Sequence, residues 1–144
     1  MDTKFSSAIH MLILISEAET PMTSEEIAVS VGTNASYIRK VTGLLKQKGI
    51  IESRQGTSGY QLLVKPEDLT LYEVYQAVSE TEQVHVFDLH QNPNDQCIVG
   101  KHIRPVLTEV FRSVEEKAEQ KLRSTTLRDY MDRMQGEIER SGDQ

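Results

Sequence analysis

The chain has 144 residues, 38% hydrophobic and 26% charged, enough for one ordinary domain with an appended element and too balanced for wholesale disorder. A single cysteine, Cys97, excludes an internal disulfide framework and any all-cysteine metal or iron-sulfur site within one chain, and it suits a reducing cytosol. The net charge of -6 is segregated: residues 1–66 hold seven Lys and Arg against six Asp and Glu, residues 67–144 hold nine against sixteen, and six of the first seven cations lie between Arg39 and Lys65. An acidic protein thus carries a basic patch, the footprint that nucleic acid attracts.

Phe5, Ala8, Ile9, Leu12, Ile13 and Ile15 recur at helical spacing and predict an amphipathic helix over about residues 3–18, with His10 a structural residue on it. Its apolar run AIHMLILI is far short of the ~20 residues that span a bilayer. It also lacks a basic leader and a cleavage site, so a soluble, cytoplasmic protein is expected, with no membrane partner. Pro21 breaks the helix, and Thr23 followed by Glu26 is a capping box that opens a short helix burying Ile27 and Val31 and stopping at Gly32. Asn34 is an N-cap for a third helix, with Tyr37, Ile38, Val41, Leu44 and Leu45 on one stripe, Ser36, Arg39, Lys40 and Lys46 on the other face, and Gly49 as its stop. Ile50 and Ile51, then RQGTSGY at 54–60, then Leu62, Leu63 and Val64 read as two short strands around a Gly-containing turn.

Beyond Pro66, Thr70 with Glu73 is a second capping box, starting a helix over about 71–79 that buries Leu71, Val74, Tyr75 and Val78. Residues 80–97 read as a loop, with QNPND as turn chemistry. A long helix follows over about 99–123. Its positions Ile103, Leu107, Val110 and Val114 keep four-three-four spacing, with Val106, Phe111, Ala118 and Leu122 widening the stripe, which suggests a partner helix. Leu127, Tyr130, Met131 and Met134 predict one more helix before a polar tail.

Helix, short helix, turn, helix with a polar-basic face, then hairpin is the order of a winged helix-turn-helix. The expected fold is mainly α with a small β-hairpin: residues 1–66 form a winged helix-turn-helix DNA-binding domain, and residues 67–144 carry the long helix with its partner-seeking stripe. Ser36 and Arg39 can present hydrogen-bonding atoms to base edges, while Lys40, Lys46, Lys48 and Lys65 neutralise phosphates. The opposing reading treats these cations as a solvated surface. A nucleotide-binding role for RQGTSGY fails, because no GxxxxGK[ST] or GxGxxG accompanies it and a strand follows where a helix N-terminus is needed. No Ser-His-Asp or paired-carboxylate arrangement stands out, so no enzyme is expected.

GTNASYIRKVTGLLKQKGIIESRQGTSGYQLL followed by LTLYEVYQAV resembles the Rrf-two family of bacterial transcription regulators over nearly the whole chain. KFSSAIHMLILIS and CIVGKHIRPVL resemble its YwnA-like branch, which lacks three-cysteine cluster ligation. The resemblance implies a homodimeric repressor on a pseudo-palindromic operator, with residues 67–144 as its dimerisation and sensor region, the long helix as dimer element, and redox stress or a small effector as the signal. Lys4, Ser36, Arg39 and Arg54 match the family's DNA-contact positions. There are departures: only Gly59 precedes Tyr60 where members often have three glycines, Val64 stands where a basic residue is frequent, and Arg39 replaces an acidic base reader of the cluster-bearing regulator.

The full candidate DNA-binding set is Lys4, Asn34, Ser36, Tyr37, Arg39, Lys40, Arg54, Gly56, Thr57, Ser58 and Lys65, with Ile103, Leu107, Val110, Phe111 and Val114 for dimerisation. Cys97 is a candidate redox sensor, against a plain packed or surface thiol. His85, His90, Cys97 and His102 fall within eighteen residues but fit no standard metal spacing, so no metal and no cofactor are expected. The competing functional class is a protein-interaction module that uses the long helix and the acidic half without an operator.

Overall fold

The computed structural model describes residues 2–53 and 59–143. Six helices and one two-stranded antiparallel sheet follow the chain as α1 (Lys4–Glu17), α2 (Ser24–Val31), α3 (Ala35–Gln47), β1 (Ile51–Ser53), β2 (Tyr60–Leu62), a 3-10 turn (Pro66–Asp68), α4 (Leu71–Ser79), α5 (Ile98–Arg123) and α6 (Leu127–Ser141). The fold is mainly helical, with the hairpin set as a wing behind a helix-turn-helix. The hairpin strands are three residues each, with Ile51 paired to Leu62 and Ser53 to Tyr60, so Leu63 and Val64 lie beyond the ladder.

Helix α1 is the hub, packed against α2, α3, α4, α6 and β2. Ala8, Met11 and Leu12 are fully buried on it, which is the result its apolar periodicity requires. The expected caps form. Thr23 Oγ1 accepts from Glu26 N at 3.2 Å while Glu26 Oε1 accepts from Thr23 N at 3.3 Å, and Gly32 closes α2 in the left-handed region at φ 82°. Asn34 Oδ1 accepts from Tyr37 N at 2.8 Å. At Thr70 only half of the anticipated box is made: its hydroxyl oxygen accepts from Glu73 N, and the Glu73 carboxylate takes the Thr70 hydroxyl instead of the backbone N–H.

Helix α6 returns to the hub. Leu127 is fully buried and Met131 nearly so, both in the same core as Ile38, Leu45, Leu69 and Val74. Backbone bonds Leu71 N to Thr125 O and Leu127 N to Leu69 O, 2.9 and 2.8 Å, stitch the starts of α4 and α6 together. Between them α5, about 39 Å long by helical rise, has no buried residue over its twenty-six positions. The loop before it docks onto its flank: Val86 N donates to Glu115 Oε2 at 2.7 Å, and the Phe87 and Phe111 rings meet with centroids 5.0 Å apart.

Candidate nucleic-acid interface

Helix α3 divides into two faces. Ile38, Val41, Thr42 and Leu45 are buried, and Ser36, Arg39, Lys40 and Lys46 stand in solvent at the i, i+3, i+4 and i+10 positions of one outward face. The buried stripe fixes which way the polar face points. Arg39 Nη1 lies 3.4 Å from Glu25 Oε1 at the start of α2, with both side chains more than half exposed, so the guanidinium is oriented but remains open to a ligand. At the far end of the helix, Lys46 Nζ donates to Ser53 Oγ on β1 at 2.9 Å and joins the helix to the wing.

Lys4, at the first position of α1, is drawn into the same surface. Its ammonium pairs with Asp2 at 3.4 Å. The Asp2 carboxyl is held below the usual carboxylate range, first by the Lys4 backbone N–H and then by the charges of Lys4 and Lys40. Lys65 is exposed just before the 3-10 turn. Asn34 uses its side chain as the α3 cap. Tyr37 is turned inward, packed against the core with its hydroxyl buried and without a partner among the described residues. Arg54, Gly56, Thr57 and Ser58, the anticipated wing contacts, lie outside the described residues.

Residues 1–133 match the Rrf2 family, described as iron-dependent transcriptional regulators. The chain belongs to this family. As an Rrf2 member it is a transcriptional regulator and not an enzyme. It is 42% identical over 134 residues to the "Putative HTH-type transcriptional regulator YwnA" of Bacillus subtilis, covering 93% of this chain and 98% of the relative. A second B. subtilis relative, YwgB, described in the same terms, is 32% identical and covers 96% of this chain and 87% of its own. Among solved structures, one described as that of a putative DNA binding protein is 41% identical, with a TM-score of 0.71 over 89% of this chain and 98% of the other. The B. subtilis cysteine regulator CymR shares the fold at a TM-score of 0.68 and 19% identity, over 92% and 95% of the two chains.

The iron of the family description does not fit the donors of this chain. An iron-sulfur cluster needs several thiolates, and Cys97 is alone. Among the described residues no group of three or more His, Cys, Asp or Glu is placed to hold a metal ion. His85 is engaged elsewhere, its ring nitrogens 2.6 Å from Asp88 Oδ1 and 3.6 Å from Glu115 Oε2. Cys97 is exposed at the N-cap of α5, where the Gly100 and Val99 backbone N–H groups hold its thiol below the ordinary value.

On α5 the anticipated seam separates into two flanks. Val110 is 51% and Val114 43% exposed, Ile103 and Leu107 are half-buried, and Val99 and Val106 extend the uncovered stripe. Phe111 is half-buried and turns its ring toward Phe87 in its own chain.

Sequence reasoning missed the meeting of the buried Ser24 and Thr42 with the half-buried Tyr60, whose hydroxyls join α2, α3 and β2. It also missed Glu25 beside Arg39. No periodicity marks such contacts, because each joins residues fourteen or more apart in the chain.

Proposed function

We propose that the protein is a homodimeric repressor that binds a pseudo-palindromic DNA operator. Helix α3 lies in the major groove with Ser36 and Arg39 at the base edges. Lys4, Lys40 and Lys65 meet phosphates, and the wing, including Arg54, reaches the neighbouring groove or backbone. Supporting this reading is one observation above all: the outward face of α3 carries its hydrogen-bonding and cationic side chains on a helix whose other face is locked into the core. The uncovered apolar stripe of α5 supports the dimer, since a second copy would bury it. A two-fold dimer sets its recognition helices about 34 to 36 Å apart, one turn of B-DNA, or a multiple of that.

Residues 1–66 and 67–144 are then divisions of role, DNA reading against pairing and sensing, inside one shared core. Cys97 is the signal input of this reading, its exposed thiol lying next to the proposed seam. Selection of bound genomic fragments with and without oxidant tests DNA binding and sensing together, and loss of binding in the parent but not in Cys97→Ser identifies the switch.

Arg54→Ala should weaken binding to many DNA sequences alike and reduce the slope of log affinity against log salt by about one unit for each phosphate no longer neutralised. Identical salt titrations for parent and variant rule out the wing contact. A parent that shifts no genomic fragment at either low or physiological salt returns the protein to the competing class, a protein-interaction module.

A further inference from the structure

Tyr60 opens β2, and its hydroxyl sits where three elements meet. Its Oη is 2.8 Å from Ser24 Oγ on α2 and 3.2 Å from Thr42 Oγ1 on α3. Ser24 is 7% and Thr42 2% exposed and Tyr60 is half-buried, so the contact is largely shielded from solvent. Thr42 Oγ1 also lies 3.0 Å from the Arg39 carbonyl, which links the contact to the backbone of the residue proposed to read bases.

The backbone beside Tyr60 is fixed independently. Met22 and Tyr60 form an antiparallel bridge that carries the wing onto the segment leading into α2. Gly59, at φ 141°, lies so close to that segment that an added Cβ would stand 2.6 Å from Pro21 Cβ and 3.0 Å from the Met22 carbonyl oxygen. One glycine before the tyrosine is therefore required by contact. The Tyr60 ring packs against the core, a place that phenylalanine would fill equally well. What tyrosine adds is a part-buried hydroxyl, which is costly to desolvate unless it is bonded, and here its bonds run to the two helices of the helix-turn-helix.

We propose that Tyr60 is a positioning residue for DNA recognition: through Ser24 and Thr42 its hydroxyl holds the β1–β2 wing at a fixed offset from α3, so that wing and recognition helix meet one duplex together. The clamp acts through the hairpin base and not through any contact of Tyr60 with DNA. It needs the hydroxyl, and it needs the two hydroxyl partners in place.

This inference rests on the operator-binding reading, so the parent's DNA binding is measured first. Tyr60→Phe is then compared with Thr42→Val, which removes a partner hydroxyl at constant shape, and with Thr42→Ser, which keeps it. Thermal melts show which variants are folded. Tyr60→Phe and Thr42→Val are expected to lose about tenfold in operator affinity, the scale of one or two interior hydrogen bonds. Their salt slope should flatten by about one unit per half-site, with base preference within the site retained, and amide exchange at Ile51–Ser53 and Tyr60–Leu63 should accelerate in the free protein. Thr42→Ser should match the parent.

A loss of packing alone would lower the melting temperature without changing the salt slope of the folded fraction. Unchanged slope and unchanged exchange in Tyr60→Phe overturn the positioning role while leaving the operator reading intact. Altered exchange with an unchanged slope overturns it too, because the clamp would then have no consequence for DNA. A parent without salt-dependent DNA binding defeats the operator reading itself, and the positioning role with it.

Discussion

Helices α3 and α5 are both amphipathic by sequence, yet they end in opposite situations. In α3 the apolar stripe is matched inside its own chain: Ile38, Val41 and Leu45 have no exposed surface. In α5 the stripe is twice as long and no residue of it is buried, with Val99 66%, Val106 55% and Val110 51% exposed. Periodicity announces that a face wants covering and does not say what covers it. A helix flanked by short connections finds its cover locally, whereas a helix about 39 Å long outruns a small core.

Substitutions on the two helices should therefore fail in different ways. Val110→Glu places a charge on the uncovered stripe, and on the dimer reading it separates the protomers. Operator affinity should fall by about 10²- to 10⁴-fold as paired half-site engagement is lost, with the fold kept. A variant that sediments at the parent's mass removes α5 as the pairing element. Leu45→Ala acts within one chain, costing about 2 to 5 kcal/mol of stability through lost burial and the cavity left behind, and denaturant titration reads it directly. A cost below about 1 kcal/mol would show that the site under α3 collapses freely.

The polar face of α3 gives a smaller, more specific effect. Arg39→Ala should change base preference by about 1 to 3 kcal/mol at one position per half-site, visible in a randomised-site selection, while the melting temperature stays near the parent's because the side chain is exposed. An unchanged selection profile removes Arg39 from the base-reading set.

The smallest effect belongs to the loop docked on α5. The hydrogen bond to Asp88, then the charges of Asp88 and Glu115, raise the His85 pKa against the opposing effect of burial. A folded-state value above the ordinary one of about 6.5 means that the docked loop is favoured at pH below 6.5 and loses that support as pH rises through the raised value. Amide exchange at residues 84–89, corrected for intrinsic rates, should show this trend in the parent and lose it in His85→Gln. A trend that persists in His85→Gln assigns the effect to another group.

Much of the fold was legible residue by residue. Thr23 with Glu26, and Asn34, announced helix starts because a capping side chain bonds a backbone N–H only two or three residues away. Gly32 announced a stop for an equally local reason, its left-handed backbone. The outward placement of Ser36, Arg39 and Lys40 followed from the stripe opposite them, as the structure has it. Tyr37 was less transparent: it belongs to both the apolar stripe and the first turn of α3, where the polar face begins, and its inward turn is a packing outcome. Phe111 is similar, since whether it faces a partner or Phe87 depends on a loop with no periodicity of its own.

By itself, then, the sequence determined the order of elements, the ends of the helices, the two faces of α3 and the long apolar stripe of α5. These depend on bonds and spacings within a turn or two of helix. The tertiary structure decided that α6 folds back under the hub through Leu127 and Met131, that Leu71 with Thr125 and Leu69 with Leu127 stitch α4 to α6, and that Tyr60 meets Ser24 and Thr42 at the base of the wing. Those hydrogen bonds join residues 18 to 58 positions apart in the chain. Such pairings are fixed only when the whole core closes, because until then the chain entropy of bringing them together outweighs any one hydrogen bond or buried methyl group.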